Sequence, residues 1–225
     1  MRGRLKVDSI NARIHQEDPI WHVQLVILVA LILQITLPDK FVAGPRYVLP
    51  FLEAVLLVSL LATAQKVTLV KSVVRRINTI GLIVLISVAN IYALERLSHE
   101  LLIGGRVSNG HALIRAAINI YLTNIIVFAL LYWEIDGSGP LKRTWQELRN
   151  RDFLFPQMTT PDFAPLNWVP RFVDYLYLSA TNALAFSPTD TMPLSRTAKL
   201  LMLGQSLVSL TTLGLVAARA VNILN

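Results

Sequence analysis

Phe172-Val-Asp-Tyr-Leu-Tyr-Leu-Ser-Ala-Thr-Asn-Ala-Leu-Ala-Phe186, then Ser187-Pro-Thr-Asp-Thr-Met-Pro-Leu-Ser195, then an apolar run to about Leu224, is the stretch on which the fold turns. The first part reads as an amphipathic helix that carries Asp174, Ser179, Thr181 and Asn182. It is too short and too polar to cross a bilayer alone, since a span needs about 20 predominantly apolar residues. Two prolines and a carboxylate make Ser187–Ser195 a sharp polar turn. The run after it, Thr197–Ile223, is long enough to span. A short helix, a polar turn and a full span is the order of a re-entrant loop. Phe172–Ala185 is therefore expected to enter the membrane and return without crossing it.

The rest of the chain supports that setting. Of 225 residues, 54% are hydrophobic and only 16% charged, with mean hydropathy +0.53. Soluble domains carry about 25% charged residues. The apolar residues come in long blocks, not at the three-to-four spacing of a surface helix. Besides Thr197–Ile223, four blocks can span: Ile20–Leu37, Tyr47–Ala62, Ile77–Leu94 and Ala112–Trp133. At ~1.5 Å per residue each reaches roughly 25–40 Å, enough for the hydrocarbon core. Each must be helical, because an open strand in lipid leaves backbone groups unpaired. The expected fold is an all-α membrane protein of five transmembrane helices, with one re-entrant helix between the fourth and fifth. The organisation is a polar segment (1–19), four spans (20–134), a Pro- and aromatic-rich interfacial loop (135–171) and the re-entrant unit with the last span (172–225). Pro156, Pro161, Pro165 and Pro170 forbid a regular helix in that loop. Its Phe153, Phe155, Phe163 and Trp168 suit an extended strap at the membrane interface. Pro38-Asp39-Lys40 follows the first block where a signal peptide would have a small-residue cleavage site, so that block reads as a retained span.

Several functions are set aside on composition. There is no cysteine, which removes disulfides, thiol catalysis and Cys-based zinc sites. The formal charge of +7 sits mostly between apolar blocks, as charge facing anionic lipid heads does. No basic stripe with interleaved aromatics marks a nucleic-acid surface. No catalytic serine constellation or Gly-rich phosphate loop is visible, so neither an enzyme nor a cofactor is expected. Glu95 and His99 share a helix face near Glu100 and His111, but no HExxH or third close ligand accompanies them, so a solvated helix end is expected and no metal. Glu53 is costly in lipid and is expected to face a partner, with Arg115 the candidate. Asp174 is expected to pair with Arg171, three residues away.

Asp190-Thr-Met-Pro193-Leu-Ser195 resembles the stretch after the filter in the pore-loop tetrameric cation channel superfamily, above all potassium channels. There an Asp is followed by two residues, a Pro and often a Leu and a Ser or Thr before the inner helix; Asp190, Pro193 and Ser195 match in spacing. The likeness covers about Ala112–Asn222. The filter glycines of that family fall here on Ser187 and Thr189, and its Tyr on Pro188, so the filter is divergent and glycine-free. The resemblance implies a homotetramer in the plasma (inner) membrane that conducts monovalent or divalent cations passively. Ser187, Pro188, Thr189 and Asp190 would form the filter-like, ion-binding turn, and Gln205, Ser209 and Thr212 the pore lining. The chain is also similar to a family of prokaryotic multi-pass membrane proteins, which implies no activity.

The same residues fit a structural hairpin. Asp190 then caps a turn and Pro193 starts a helix. Gln205, Ser209, Thr212 and Arg219 fall in one helical row, with Val216 completing it, and such a row faces protein or water, not lipid. On this reading it glues helices together, and Gly204 and Gly214 permit close packing instead of hinging a gate. The chain would be a non-conducting scaffold or accessory subunit. Sidedness separates the readings. Lys and Arg collect in 1–19, 63–76 and 135–171, which the positive-inside rule places in the cytoplasm together with the mouth of the loop. In the channel family that mouth faces outside.

Overall fold

The computed structural model describes residues 21–63, 69–103, 110–139, 151–165, 168–185 and 190–224. They are almost wholly helical: α1 (Trp21–Ile35), α2 (Val48–Thr63), α3 (Leu69–Leu102), α4 (Gly110–Ile135), the one-turn α5 (Pro156–Thr159), α6 (Phe172–Ala185) and α7 (Arg196–Leu224). Two strands of two residues each, β1 (Phe153–Leu154) and β2 (Met192–Pro193), pair antiparallel.

Among the described residues, three helical stretches are long and apolar enough to cross a membrane: Val74–Leu102, Gly110–Ile135 and Arg196–Ala218. The first two apolar blocks form shorter helices, Trp21–Ile35 and Val48–Leu60. The surface is apolar and much of the interior polar. Leu28, Ile32, Val58, Val84, Ile91, Leu200 and Leu207 are exposed, whereas Asn78, Asn119, Asn124, Gln205 and Ser209 are buried. A water-soluble chain does the opposite with its large apolar and amide side chains. In lipid, amides turn inward and bond across helices.

Those bonds set the packing. α1 ends where Thr36 turns its hydroxyl onto the Ile32 and Leu33 carbonyls, just before Pro38. Asn119 of α4 donates to the same Leu33 carbonyl at 3.0 Å and to Thr36 Oγ1 at 3.1 Å. Asn78 of α3 donates to Ser59 of α2 at 2.7 Å. Charges segregate by end: Lys40 pairs with Glu100 at 3.1 Å and Arg46 with Asp39 at one end, and Arg76 with Glu134 at 3.1 Å at the other. Consecutive antiparallel helices require that alternation.

α6 starts at the Glu134 end, where the Phe172 ring meets Trp133 edge-on. It runs back along α4 until Ser179 donates to the Ile125 carbonyl at 2.7 Å. By β2 the chain is again beside Phe153, whose ring contacts Tyr132. α7 then descends antiparallel to α4, with Tyr132 opposite Gln205 and Asn124 opposite Ser209.

The interfacial loop differs from the extended strap expected. Phe153 and Phe155 are buried, stacked edge-on with Tyr132, Tyr175 and Trp168, and only Phe163 is left fully out, at 92% exposure. The prolines do break the helix, and Phe153 and Phe155, just before Pro156, pack onto the bundle, where their aromatic area is buried. The short helix expected over 141–151 lies almost wholly outside the described residues.

Candidate functional site

Two polar centres organise the C-terminal half. The first grows from Asp136, directly after α4. Asp136-Gly-Ser-Gly is a tight turn in which Gly137 has φ +60° and Gly139 φ +105°, backbone that side-chain-bearing residues rarely adopt. The turn directs the Asp136 carboxylate inward, fully buried. Its Oδ1 accepts the backbone N–H groups of Asp152 (2.7 Å) and Phe153 (3.3 Å). Its Oδ2 accepts the Tyr175 hydroxyl (2.5 Å) and Arg151 Nη1 (3.3 Å). One carboxylate thus ties α4, the β1 segment and α6 together. Asp152 returns the tie, its Oδ2 accepting Gly137 N–H at 3.2 Å and its carbonyl accepting Leu194 N–H at 2.8 Å. The segment after the filter-like turn is therefore clamped to the loop before α6. Gly139→Ala is expected to destabilise the protein by roughly 1–3 kcal/mol, the cost of forcing a side chain into such backbone, with a Cβ landing 3.4 Å from the Glu134 carbonyl. Gly204→Ala, where a Cβ meets nothing within 4 Å, should instead gain up to about 1 kcal/mol of helix propensity. Thermal unfolding of the two variants in detergent checks the contrast.

The second centre is Gln205. Its Oε1 accepts Tyr132 Oη (2.6 Å) and Asn182 Nδ2 (2.9 Å). Its Nε2 donates to Ser179 Oγ (2.7 Å) and the Ser179 carbonyl (2.9 Å). An amide oxygen takes two bonds and an amide nitrogen gives two, so every polar atom of Gln205 is spent inside one chain. Ser209 accepts from Asn124 at 3.0 Å, and Thr212 turns its hydroxyl onto the Val208 carbonyl at 2.8 Å. All three side chains are at most 1% exposed. Of the row expected on α7, Gln205, Ser209 and Thr212 are buried and Val216 is half-buried, while the side chain of Arg219 lies outside the described residues; Leu200, Leu203, Leu207, Leu210 and Leu213 face outward.

Of the filter-like residues, Ser187, Pro188 and Thr189 lie outside the described residues. Asp190 is exposed and accepts the Thr191 hydroxyl at 3.4 Å. Pro193 sits in β2, not at a helix start; the cap of α7 is Ser195, whose Oγ accepts Ala198 N–H at 3.1 Å. Asp174 accepts the backbone N–H of Arg171 at 2.7 Å, closing the α6 N-terminus as an acidic residue at the third helical position does. Glu53 is fully buried without the Arg115 pairing expected, and Arg115 is exposed. Glu100 is taken by Lys40. A Cβ added at Gly204 or Gly214 would meet nothing within 4 Å among the described residues.

The Asp136 centre was not foreseen. Its partners lie 15 to 39 residues away, and Asp-Gly-Ser-Gly reads in sequence as an ordinary turn. A charged Arg151-Asp152 pair abutting an aromatic strand, next to an acid at a span end, is the one signal that hints at it.

A helical protein with three membrane-length helices, an apolar exterior and buried amide glue is a membrane protein. No family model, characterised protein or solved structure matches the chain.

Proposed function

We propose that this chain is a five-span protein of the inner (plasma) membrane with α6 as a re-entrant helix, and that it serves as a non-conducting scaffold or accessory subunit. The return of the chain from α6 to β2 at one end of the bundle supports the re-entrant reading. With five crossings, the charged ends of the bundle fall alternately on the two sides of the membrane. One observation carries the scaffold reading: Gln205, in the polar row of α7, has every polar atom bonded within its own chain. A side chain with no free donor or acceptor offers nothing to a passing ion. The clamp of Leu194 on Asp152 adds to this, since it ties the segment beyond the turn into a single subunit.

The second reading is passive cation conduction by a homotetramer, favoured by the exposed carboxylate of Asp190 at the hairpin mouth. Several copies round an axis would raise the local cation concentration. Protein reconstituted into liposomes separates the two. The scaffold gives cation flux equal to protein-free vesicles, and Asp190→Asn changes neither flux nor thermal midpoint, because Asp190 is exposed and the cap of α7 is Ser195. A flux above background that falls in Asp190→Asn, most at low salt where screening is weakest, favours the tetrameric conduit.

A further inference from the structure

Between α3, α4 and α7 lies a cavity of about 230 Å³. Its wall runs from Ser87 to Leu94 on α3 and from Asn124 to Leu131 on α4, with Val208 of α7 facing it as well. Each of the two long stretches covers roughly 10 Å of helix, so the space is compact and not a long groove. Ile91, in the wall, is 64% exposed, so the cavity reaches the outer face of the bundle. Asn90 lies roughly 21 Å along α3 from Arg76 and roughly 15 Å from Glu100, well inside the two charged ends. The mouth therefore opens toward hydrocarbon and not toward headgroups.

Most of the wall is apolar, formed by Ile91, Leu94, Val127, Phe128, Leu131 and Val208. Two amides interrupt it. Asn90 is half-buried, and among the described residues nothing bonds to its side chain. It also borders the smaller chamber between α1, α2, α3 and α4. Asn124 spends its Nδ2 on Ser209, while its Oδ1 has no partner and yet is not sealed in. Asn124 is only 2% exposed, so the space that its Oδ1 meets is the cavity whose wall it forms.

An amide without a partner in an apolar setting is costly. Water is a poor filling for this cavity. At about 30 Å³ each, several waters would enter, and each needs two to four polar partners. An acyl chain suits the apolar wall but bonds to neither amide, and its length exceeds the cavity. An apolar cavity of about 150 Å³ takes up benzene, so this larger one has room for a substituted ring. We infer that the cavity binds a lipophilic ring compound carrying a hydrogen-bonding oxygen, a phenol or a quinone, that enters from the bilayer. The ring packs on the apolar wall beside Phe128. Asn90 has N–H groups to give to a quinone carbonyl, and the Asn124 oxygen can accept a phenol hydroxyl. The site does not depend on how the C-terminal hairpin is read.

Photolabelling tests this. Full-length protein in liposomes is illuminated with a diazirine-bearing alkylphenol or with the same probe lacking the hydroxyl. Adducts are located by peptide mass spectrometry. Phenol adducts should concentrate on the peptides spanning 87–94 and 124–131. They should fall several-fold with excess unlabelled alkylphenol or benzoquinone, and the stronger competitor identifies the form of the oxygen. Palmitic acid at the same concentration should not displace them. Val208→Phe, which fills the cavity, should lose this labelling several-fold, whereas Leu200→Phe on the outer face of α7 should keep it. Asn90→Leu should weaken labelling by the phenol several-fold and leave that by the hydroxyl-free probe unchanged. Adducts no denser on these peptides than on the other spans overturn the inference. So does displacement by palmitic acid, which makes the cavity an acyl-chain space, and so does equal labelling of the native protein by the two probes. The native-protein competition decides even where a variant fails to fold.

Discussion

Asp136→Asn should unfold at markedly lower temperature than any other single substitution in the C-terminal half. The substitution keeps the shape but removes the charge that Arg151 pairs with, and Arg151 is 8% exposed. Breaking a buried pair from one side leaves an uncompensated charge and costs roughly 3–5 kcal/mol. The effect should exceed that of Tyr175→Phe, which removes one hydrogen bond to the same carboxylate and costs about 1.5–3 kcal/mol. Arg151→Met in the Asp136→Asn background should recover part of the loss, because the guanidinium that lost its pairing with Asp136 goes with it. A double-mutant cycle on thermal unfolding in detergent measures the coupling. If Asp136→Asn melts with the native protein, the carboxylate does not hold α4, β1 and α6 together.

Gln205→Leu should have the second largest effect, and it bears on function. The substitution removes four hydrogen bonds and takes from the buried Tyr132 hydroxyl its bond to Gln205, while Ser179 keeps its bond to the Ile125 carbonyl and Asn182 its bond to the Met202 carbonyl. Hydrogen bonds between membrane helices average about 0.6 kcal/mol, because the unfolded chain in the membrane also finds partners. Four of them give roughly 2–3 kcal/mol, against about 0.6 for Ser209→Ala, which loses one. A pore-lining residue behaves otherwise: its replacement by Leu leaves stability near native and alters flux. Unfolding by titrated denaturing detergent, with flux measured on the same preparations, separates the two. Native stability for Gln205→Leu would remove the observation on which the scaffold reading rests.

Both predictions depend on residues whose chemistry is plain in the sequence and whose partners are not. A polar row on α7 was legible, since Gln205, Ser209 and Thr212 recur at helical spacing. What they face was not. A row on one helix is compatible with a shared axis or with neighbouring helices of its own chain, and only the positions of Tyr132, Asn124, Ser179 and Asn182 choose between them. Glu53 shows the same limit from the other side. Its cost in lipid was evident, and Arg115 was a reasonable partner by charge, but Arg115 projects outward from α4.

Membrane residence, helical class and helix placement were determined by the sequence alone, because block length, hydropathy and proline act locally and need no knowledge of neighbours. The short helix Phe172–Ala185 emerged with the bounds its composition predicts. The tertiary structure decided the rest. It buried Phe153 and Phe155 of the interfacial loop against Tyr132 and Tyr175. It moved the helix start from Pro193 to beyond the Ser195 cap by drawing Met192–Pro193 into a strand with Phe153–Leu154. The reason is common to all of these: a buried polar atom takes the partner that packing brings within about 3 Å, and that partner can lie anywhere in the chain.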